Sequence, residues 1–400
     1  MILPRLHELA AITAEDGRLT RLFMTPEQKR ASALVAGWMA QAGMAVRVDA
    51  IGNVVGRLDG QGPALMLGSH LDTVRNAGRY DGMLGVVTAI ACVERMVKAG
   101  TRPRFPVEVV GFSEEEGVRF GAALLGSRAV AGTFDPAVLD RVDADGVTMR
   151  EAIGRFGLDP AMIGTAARRR EEIAAYLELH IEQGPVLEAA GLPVGCVSAI
   201  SGAGRFEVVV QGAAGHAGTV PMGQRRDALA AAAESVLAVE RRCGAEAGLV
   251  GTVGRLEVAD GATNVIPGRV RFTMDIRAPE DAQRARAEAD ILAAIAAVAH
   301  ARGVQALVER IYDMAAAPCA PWLMRQIERS IAAAGVAALR LPSGAGHDGL
   351  AMRAVADIGM IFVRCAGGVS HHPSESITEA DAETGARVLQ HFIENFEVGA

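Results

Sequence analysis

Six of the nine histidines, His70, His180, His216, His347, His371 and His372, each stand at the end of an apolar run beside Gly, Pro, Asp or Glu. Imidazole nitrogens close to carboxylates are the usual donors of hydrolytic metal sites, where an ion polarises a carbonyl and activates water. The densest stretch is Gly68-Ser-His-Leu-Asp-Thr-Val74, with Tyr80-Asp81-Gly82 soon after it. It sets His70, Asp72 and Asp81 within twelve residues, just past the apolar run Ala64 to Leu67. A second apolar run, Pro106 to Phe112, leads into Glu114-Glu115-Glu116. Alone, such a triplet is a solvated acidic turn. Three like charges after a buried strand repel one another, however, unless cations neutralise them.

Further donors follow in Leu177-Glu-Leu-His180-Ile-Glu-Gln183-Gly184 and in Ser370-His371-His372-Pro373. His70, His180 and one histidine of the last turn would supply nitrogens; Asp81 and a glutamate of the triplet would supply oxygens. Mixed ligation of this kind suits zinc, manganese or a similar divalent ion. A carboxylate can bridge two such ions. His7, His300 and His391 lie in helical segments without acidic or glycine-rich motifs and read as surface or packing residues.

The elements that must carry these residues alternate. Thr25-Pro26-Glu27-Gln28 reads as an N-cap, a first-turn proline and a capping Gln, opening a helix to about Gly43. Short β-type segments cover residues 45–49 and 53–58, and the apolar run 64–67 is a strand. Residues 83–97 suit a helix packed on a sheet, residues 106–112 a buried strand, and residues 175–181 another. Alternation of strand and helix favours an α/β sheet, whose ligands gather at the carboxyl ends of its strands. Arg168-Arg169-Arg170 reads as a solvated helix face.

Near residue 200 the texture changes. Residues 206–210, 250–258 and 270–276 read as strands, and 227–242 and 280–301 as alanine-rich helices. This is a small α+β sandwich at 203–317, inserted in a discontinuous domain of 1–202 plus 318–400. A helix at 322–334, a strand at 359–363 and a last helix at 378–394 complete the outer domain.

Four hundred residues is long for one core, in keeping with two domains. The net charge of −7 argues against a nucleic-acid or anionic-membrane surface. Five dispersed cysteines without a Cys-x-x-Cys pair read as reduced thiols, and no secretory signal or membrane span is visible. The expectation is a cytoplasmic protein. Aromatics make up only 4% of the chain, so a pocket would hold its ligand through polar groups.

In order along the chain stand His70-Leu-Asp72-Thr, Asp81-Gly82, Glu115-Glu116-Gly117-Val-Arg119-Phe120 and Leu177-Glu-Leu-His180-Ile-Glu-Gln183-Gly184-Pro185. Then come Gly215-His216-Ala-Gly-Thr-Val-Pro221-Met222, Asn264-Val-Ile-Pro267-Gly268, Asp275-Ile-Arg277, Ser343-Gly-Ala-Gly346-His347-Asp348 and Ser370-His371. This series resembles the amidase/carbamoylase branch of the M20 metallopeptidase-like superfamily. That branch includes N-carbamoyl-L-amino-acid hydrolases, allantoate amidohydrolases and β-ureidopropionases. The stretch around His180 discriminates best, because related aminopeptidases and deacylases usually carry a carboxylate ligand there.

The resemblance implies a mixed-sheet α/β/α di-metal hydrolase domain with an inserted lid and dimerisation domain. It implies two divalent ions per subunit, zinc first, with manganese, cobalt or nickel also suited. His70, Asp81 and His180 would hold one ion; Asp81, Glu116 and His371 would hold the other, with Asp81 bridging. Gly117-x-Arg119-Phe120 selects Glu115 and Glu116 from the triplet, and His371 is preferred to His372. Glu115 would be the general base, passing a proton from water to the leaving nitrogen, and Asp72 would orient His70.

Gln183, His216, Asn264, Arg277, Gly346 and His347 would bind substrate. Arg277 offers a fork for a carboxylate, and His216 and Asn264 donors for a developing oxyanion. The expected activity is hydrolysis of a linear ureido C–N bond in a small carboxylate-bearing substrate, by a homodimer paired through the inserted domain. The rivals are an aminoacylase or dipeptidase of the same fold, which His180 argues against, and a non-catalytic metal-binding scaffold. A scaffold predicts lost ligands, and none of these is missing.

Overall fold

The computed structural model describes residues 1–399. Its chain divides into two units, one of Met1–Ser198, Cys319–Leu341 and the chain from Ala345 on, the other of Ala199–Pro318 with Pro342–Gly344.

The first unit is built on a mixed sheet. Its strands run in the order Ala45–Val48, Val54–Leu58, Val107–Phe112, Ala64–His70, Ile173–Ile181, Ile358–Val363 and Val194–Ile200. The four central strands from Val107–Phe112 to Ile358–Val363 are mutually parallel, and their neighbours on either side run antiparallel. Ala64–His70 and Val107–Phe112 are buried along their whole length, as continuous apolar runs in a central parallel sheet require. Helices Pro26–Gln41, Met83–Lys98, Pro321–Ala333 and Glu379–Glu394 pack their apolar faces into one core with Leu65, Leu67, Leu177, Leu179 and Val363 of the sheet. Thr25 caps the first of these by accepting from Gln28 N. A second core, around Phe23, Phe120, Met149 and Phe156, lies under residues 120–166.

The second unit is a two-layer α+β arrangement. Leu256–Val258, Arg269–Ala278, Gly202–Gln211 and Gln305–Met314 form an antiparallel sheet in that order, and Val250–Thr252 also pairs with Arg269–Ala278. Strict alternation turns Phe206, Val208, Val210, Phe272, Met274 and Ile276 into a core shared with helices Ala228–Gly244 and Asp281–Ala301. Gly215–His216 and Val265–Ile266 form a small ribbon of their own.

Several expectations need correcting. Residues 250–258 hold two short strands rather than one. The ten-residue strand Gln305–Met314 was not anticipated, because nearly every residue of it is exposed and the period-2 burial signal is absent. The basic run 168–170 is not a helix face: Arg168 reaches Glu108 at 2.7 Å and Arg170 reaches Asp357 at 2.6 Å, so two of its three charges tie segments together. All five cysteines are buried free thiols, and no helix among the described residues is long and apolar enough to cross a membrane.

Candidate metal centre

The central parallel strands end where the chemistry was expected. His70 closes Ala64–His70, His180 is the penultimate residue of Ile173–Ile181, and both are almost fully buried. Each ring has its Nδ1 against a backbone carbonyl, His70 on that of Asp72 at 3.1 Å and His180 on that of Ile181 at 2.9 Å. A carbonyl can only accept, so these contacts place a proton on Nδ1 and turn Nε2 toward the cluster, where that of His180 accepts from Gly82 N at 3.1 Å.

Both Nε2 atoms face one oxygen of Asp81: His180 lies 3.0 Å and His70 3.3 Å from Oδ1. The other oxygen, Oδ2, faces His371 Nε2 at 3.2 Å, and that nitrogen is also 3.6 Å from Glu116 Oε1. Asp81 thus presents each of its oxygens to a different set of donors. Three groups have ligand atoms within 4.8 Å of one another: His70, Asp81 and His180; Asp81, Glu116 and His371; and His70, Glu115 and Glu116. The first two are the two sets that the resemblance implies. His372 turns to Ser374 Oγ instead, at 2.7 Å, and belongs to none of these groups.

Backbone geometry makes room for the cluster. Gly82, next to Asp81, has φ +69°, and a Cβ there would sit 2.5 Å from the His70 ring, so only glycine fits. Gln183 and His371 are also left-handed, at φ 59° and 56°, although neither is glycine. Such strain collects at functional sites and persists only where the surroundings over-determine it.

Asp72 supports two parts of the site at once. Its carboxylate accepts from Glu115 N at 3.0 Å and Glu116 N at 3.2 Å, which anchors the acidic turn, and Oδ1 lies 3.5 Å from His70 Nδ1. Glu114 curls back to accept from Gly117 N and joins no donor group.

The electrostatics show what the cluster lacks by itself. Burial would lift Asp81, yet His180, His371 and His70 hold it well below the usual carboxylate range. Burial drives Glu115 well above that range against the pull of His70, with Glu116 and Asp348 adding to the rise. Burial, then Asp81, pushes Glu116 up to about 7. Crowded carboxylates that raise one another, interleaved with imidazole lone pairs, fit divalent cations: positive charge would relieve the repulsion and the mixed donors would ligate it.

The remaining candidates divide. Gly346 borders Glu115, since a Cβ on it would stand 3.8 Å from Glu115 Oε1. His347, expected to touch substrate, is only 1% exposed, with its ring edge-on to His180 at 4.5 Å between centroids. Burial and the charge of His180 push it well below the ordinary histidine range, so it is a neutral ring wedged behind a ligand. Gln183 Nε2 donates to Asp81 Oδ2 at 2.8 Å and lies 3.0 Å from Ser370 Oγ.

In the second unit His216 is exposed, and its Nδ1 accepts from Gly218 N at 3.0 Å, which leaves Nε2–H as a free donor. Asn264 lies across that ribbon, its carbonyl accepting from Ala217 N at 2.9 Å. Arg277 is already engaged: Nε and Nη2 grip Asp275 at 2.7 and 2.9 Å, and Nη1 donates to the Gly344 carbonyl at 2.8 Å. Of its five N–H bonds, one on each terminal nitrogen is left for a ligand.

Two residues were missed altogether. Glu375 is buried, with Oε1 accepting from Tyr80 N at 2.8 Å and Asp81 N at 3.2 Å, and Ser370 Oγ lies 2.9 Å from Asp81 Oδ2. The only signal was their closeness to His371 in the turn from Ser370 to Ser376.

Comparison with known proteins assigns the chain to a family. Residues 66–395 match the model of peptidase family M20/M25/M40. The chain belongs to that family. It is 43% identical to an N-carbamoyl-L-amino acid amidohydrolase of Geobacillus stearothermophilus over 97% of this chain and 96% of that one. It is 41% identical to a probable allantoate deiminase of Oryza sativa subsp. japonica, over 99% of this chain and 88% of that one. Among solved structures, a hydantoinase/carbamoylase family amidase from Burkholderia multivorans superposes with TM-score 0.92 at 35% identity, covering 98% of this chain and 96% of its own. Similarity to M20 relatives therefore spans both units.

Proposed function

We propose that this M20 family member hydrolyses the ureido C–N bond of an N-carbamoyl-L-amino acid, or of a close relative such as allantoate. The enzyme is a hydrolase of carbon–nitrogen bonds in linear amides. One observation carries the reading. The near full-length similarity to an N-carbamoyl-L-amino acid amidohydrolase is joined to an imidazole, His180, where peptide-cleaving relatives are expected to place a carboxylate.

His70, Asp81 and His180 would hold one divalent ion, and Asp81, Glu116 and His371 a second. Bound there, the ions would supply a polarised water and a Lewis acid for the carbamoyl oxygen. Glu115, next to the donors without sharing Asp81, would take a proton from the attacking water and return it to the leaving nitrogen. Water adds to the carbamoyl carbon, its C–N bonds break, and amino acid, ammonia and carbon dioxide result. Asp72 would hold the acidic turn and His70 in place through the contacts above. His216 Nε2–H and Asn264 would donate to the oxyanion, and Arg277 would bind the substrate carboxylate through its two remaining N–H bonds.

Zinc is the proposed ion, with manganese, cobalt or nickel able to replace it, and the cytoplasm is the proposed compartment, in keeping with five free thiols. A homodimer is proposed through the second unit. Gln305–Met314 is an edge strand with Leu307, Val308, Ile311 and Tyr312 exposed, and such an edge is a template for pairing with a second chain.

The test is ammonia release from N-carbamoyl-L-amino acids, allantoate and 3-ureidopropionate, beside cleavage of N-acetyl amino acids and dipeptides, with metal-stripped and metal-restored enzyme. A ureido acid turned over fastest, and only with metal, is the expected result. Faster cleavage of the acetyl compounds or dipeptides would overturn the reading.

A further inference from the structure

Glu375 is not a donor to any of the three clusters, yet it touches the chain segments that deliver two of the ligands. Its carboxyl is 3% exposed. Oε1 takes both consecutive N–H groups of Tyr80 and Asp81, and Oε2 lies 3.0 Å from Ser370 Oγ, which in turn reaches Asp81 Oδ2 at 2.9 Å. Gln183 Nε2 closes the circuit on the same Asp81 oxygen. The fit is tight: a Cβ on Gly78 would lie 2.3 Å from the Glu375 carboxyl, so the loop from residue 78 to 82 is shaped around it. Its own N–H donates to the His372 carbonyl at 3.0 Å, which closes the turn that carries His371. One side chain therefore fastens the Asp81 loop to the His371 turn across 294 residues of sequence.

The two halves of the cluster depend on this fastening unequally. His70 and His180 lie at the ends of buried strands and are 2% and 1% exposed. His371 is about half exposed, on a left-handed backbone, and its turn is tied to the Asp81 loop through Ser370, Glu375 and Gln183. We infer that Glu375 is a positioning residue that keeps the Asp81 loop and the His371 turn in register, so that its loss weakens the Asp81–Glu116–His371 site and spares the His70–Asp81–His180 site. The inference rests on the dinuclear reading proposed above. Outer-shell partners of metal ligands typically carry about 10- to 100-fold in metal affinity. That is the expected weakening of the second ion in Glu375→Ala, with the first ion bound as in wild type. Glu375→Gln keeps an oxygen for the two N–H groups and offers an amide N–H to Ser370, so it should restore both sites.

The experiment titrates chelator-stripped protein with Zn²⁺ in competition with a chromophoric chelator. It compares wild type, Glu375→Ala, Glu375→Gln and Ser370→Ala, with bound metal counted by mass spectrometry and the Tm of each stripped protein recorded. Two ions on wild type, a selectively weakened second ion in Glu375→Ala and recovery in Glu375→Gln support the inference. Ser370→Ala removes a single hydroxyl, and it should shift the second ion in the same direction even if Glu375→Ala fails to fold. Two ions held equally well by wild type, Glu375→Ala and Ser370→Ala would overturn the inference and leave the dinuclear reading standing, and so would equal loss of both ions. A single ion on wild type would instead remove the dinuclear reading itself.

Discussion

The two units hold their polar side chains in opposite ways. In the first, His70, Asp72, Asp81 and His180 are buried at 1–5% exposure, and each is held by neighbours of fixed geometry. In the second, His216 is exposed on a two-residue strand, and Arg277 lies half-buried on a sheet, held by two hydrogen bonds to Asp275 and one to a carbonyl but with two N–H bonds left over. Ligation and proton transfer need atoms fixed within fractions of an ångström, which burial and reciprocal hydrogen bonds provide. Recognition of a substrate needs donors that are still free, which requires exposure. The buried set should therefore govern turnover and metal, and the exposed set should govern how well substrate and transition state are held.

The sharpest break of that division is Glu115→Gln. Removing a general base typically costs 10²–10⁴, and we expect a kcat loss of about 10³. Metal content by mass spectrometry should stay as in wild type; a near-normal kcat would remove Glu115 from the mechanism. Next comes His216→Ala, expected to lower kcat by about 10² if Nε2–H meets the oxyanion. Steady-state kinetics decide it, because a change confined to KM would make His216 a ground-state contact. Arg277→Ala should raise KM by about 10- to 100-fold, the worth of hydrogen bonds to a charged group, with kcat nearly unchanged. A descarboxy substrate analogue should show no such difference between wild type and variant.

The smallest effect is on pH. In the metal-free protein His70 is held well above the usual histidine range against its burial, by Asp72 and Asp81, and His371 is raised by Asp81. Burial likewise lifts Glu116 to about 7. A raised group keeps its proton to higher pH, and a ligand must lose it, so metal binding near neutrality releases protons. Apparent Zn²⁺ affinity should therefore fall as pH drops through about 7, where Glu116 takes up its proton, by about tenfold per unit for that proton. Competition titrations at several pH values would check it, and a flat profile would mean that the donors are already deprotonated.

What could be read beforehand follows the same split. His70 and His180 announce themselves because a ligating residue at the end of an apolar strand has few other reasons to be there, and Asp81 and Glu116 stand in the loops that follow two such strands. The alternating strands and helices that carry them are long and strongly patterned. Glu375 stayed hidden because its burial is created by tertiary approach: nothing in Pro373-Ser-Glu-Ser376 says that the loop of residues 78–82 will fold over it. The burial of Glu178 was hidden for a related reason. The residue occupies an inward position of Ile173–Ile181 and is satisfied there by Ser69 Oγ at 3.0 Å and Tyr176 OH at 3.0 Å, partners that only the assembled sheet supplies. His347 stands beside a glycine in sequence, and only the assembled sheet shows that it is buried against the His180 ring. Gln305–Met314 carries no alternating signal because, at the sheet edge, neither face is covered.

The buried thiols open a way to watch the two units separately. Cys92, Cys196, Cys319 and Cys365 lie in the first unit and Cys243 in the second. A thiol shielded in the native state reacts with an alkylating reagent only when its surroundings open, so its labelling rate is a clock for local unfolding. Mass spectrometry of the labelled peptides would time the opening of each unit in one native sample, without any introduced probe. Added metal should slow the clock at Cys365, just after the strand Ile358–Val363, far more than the one at Cys243.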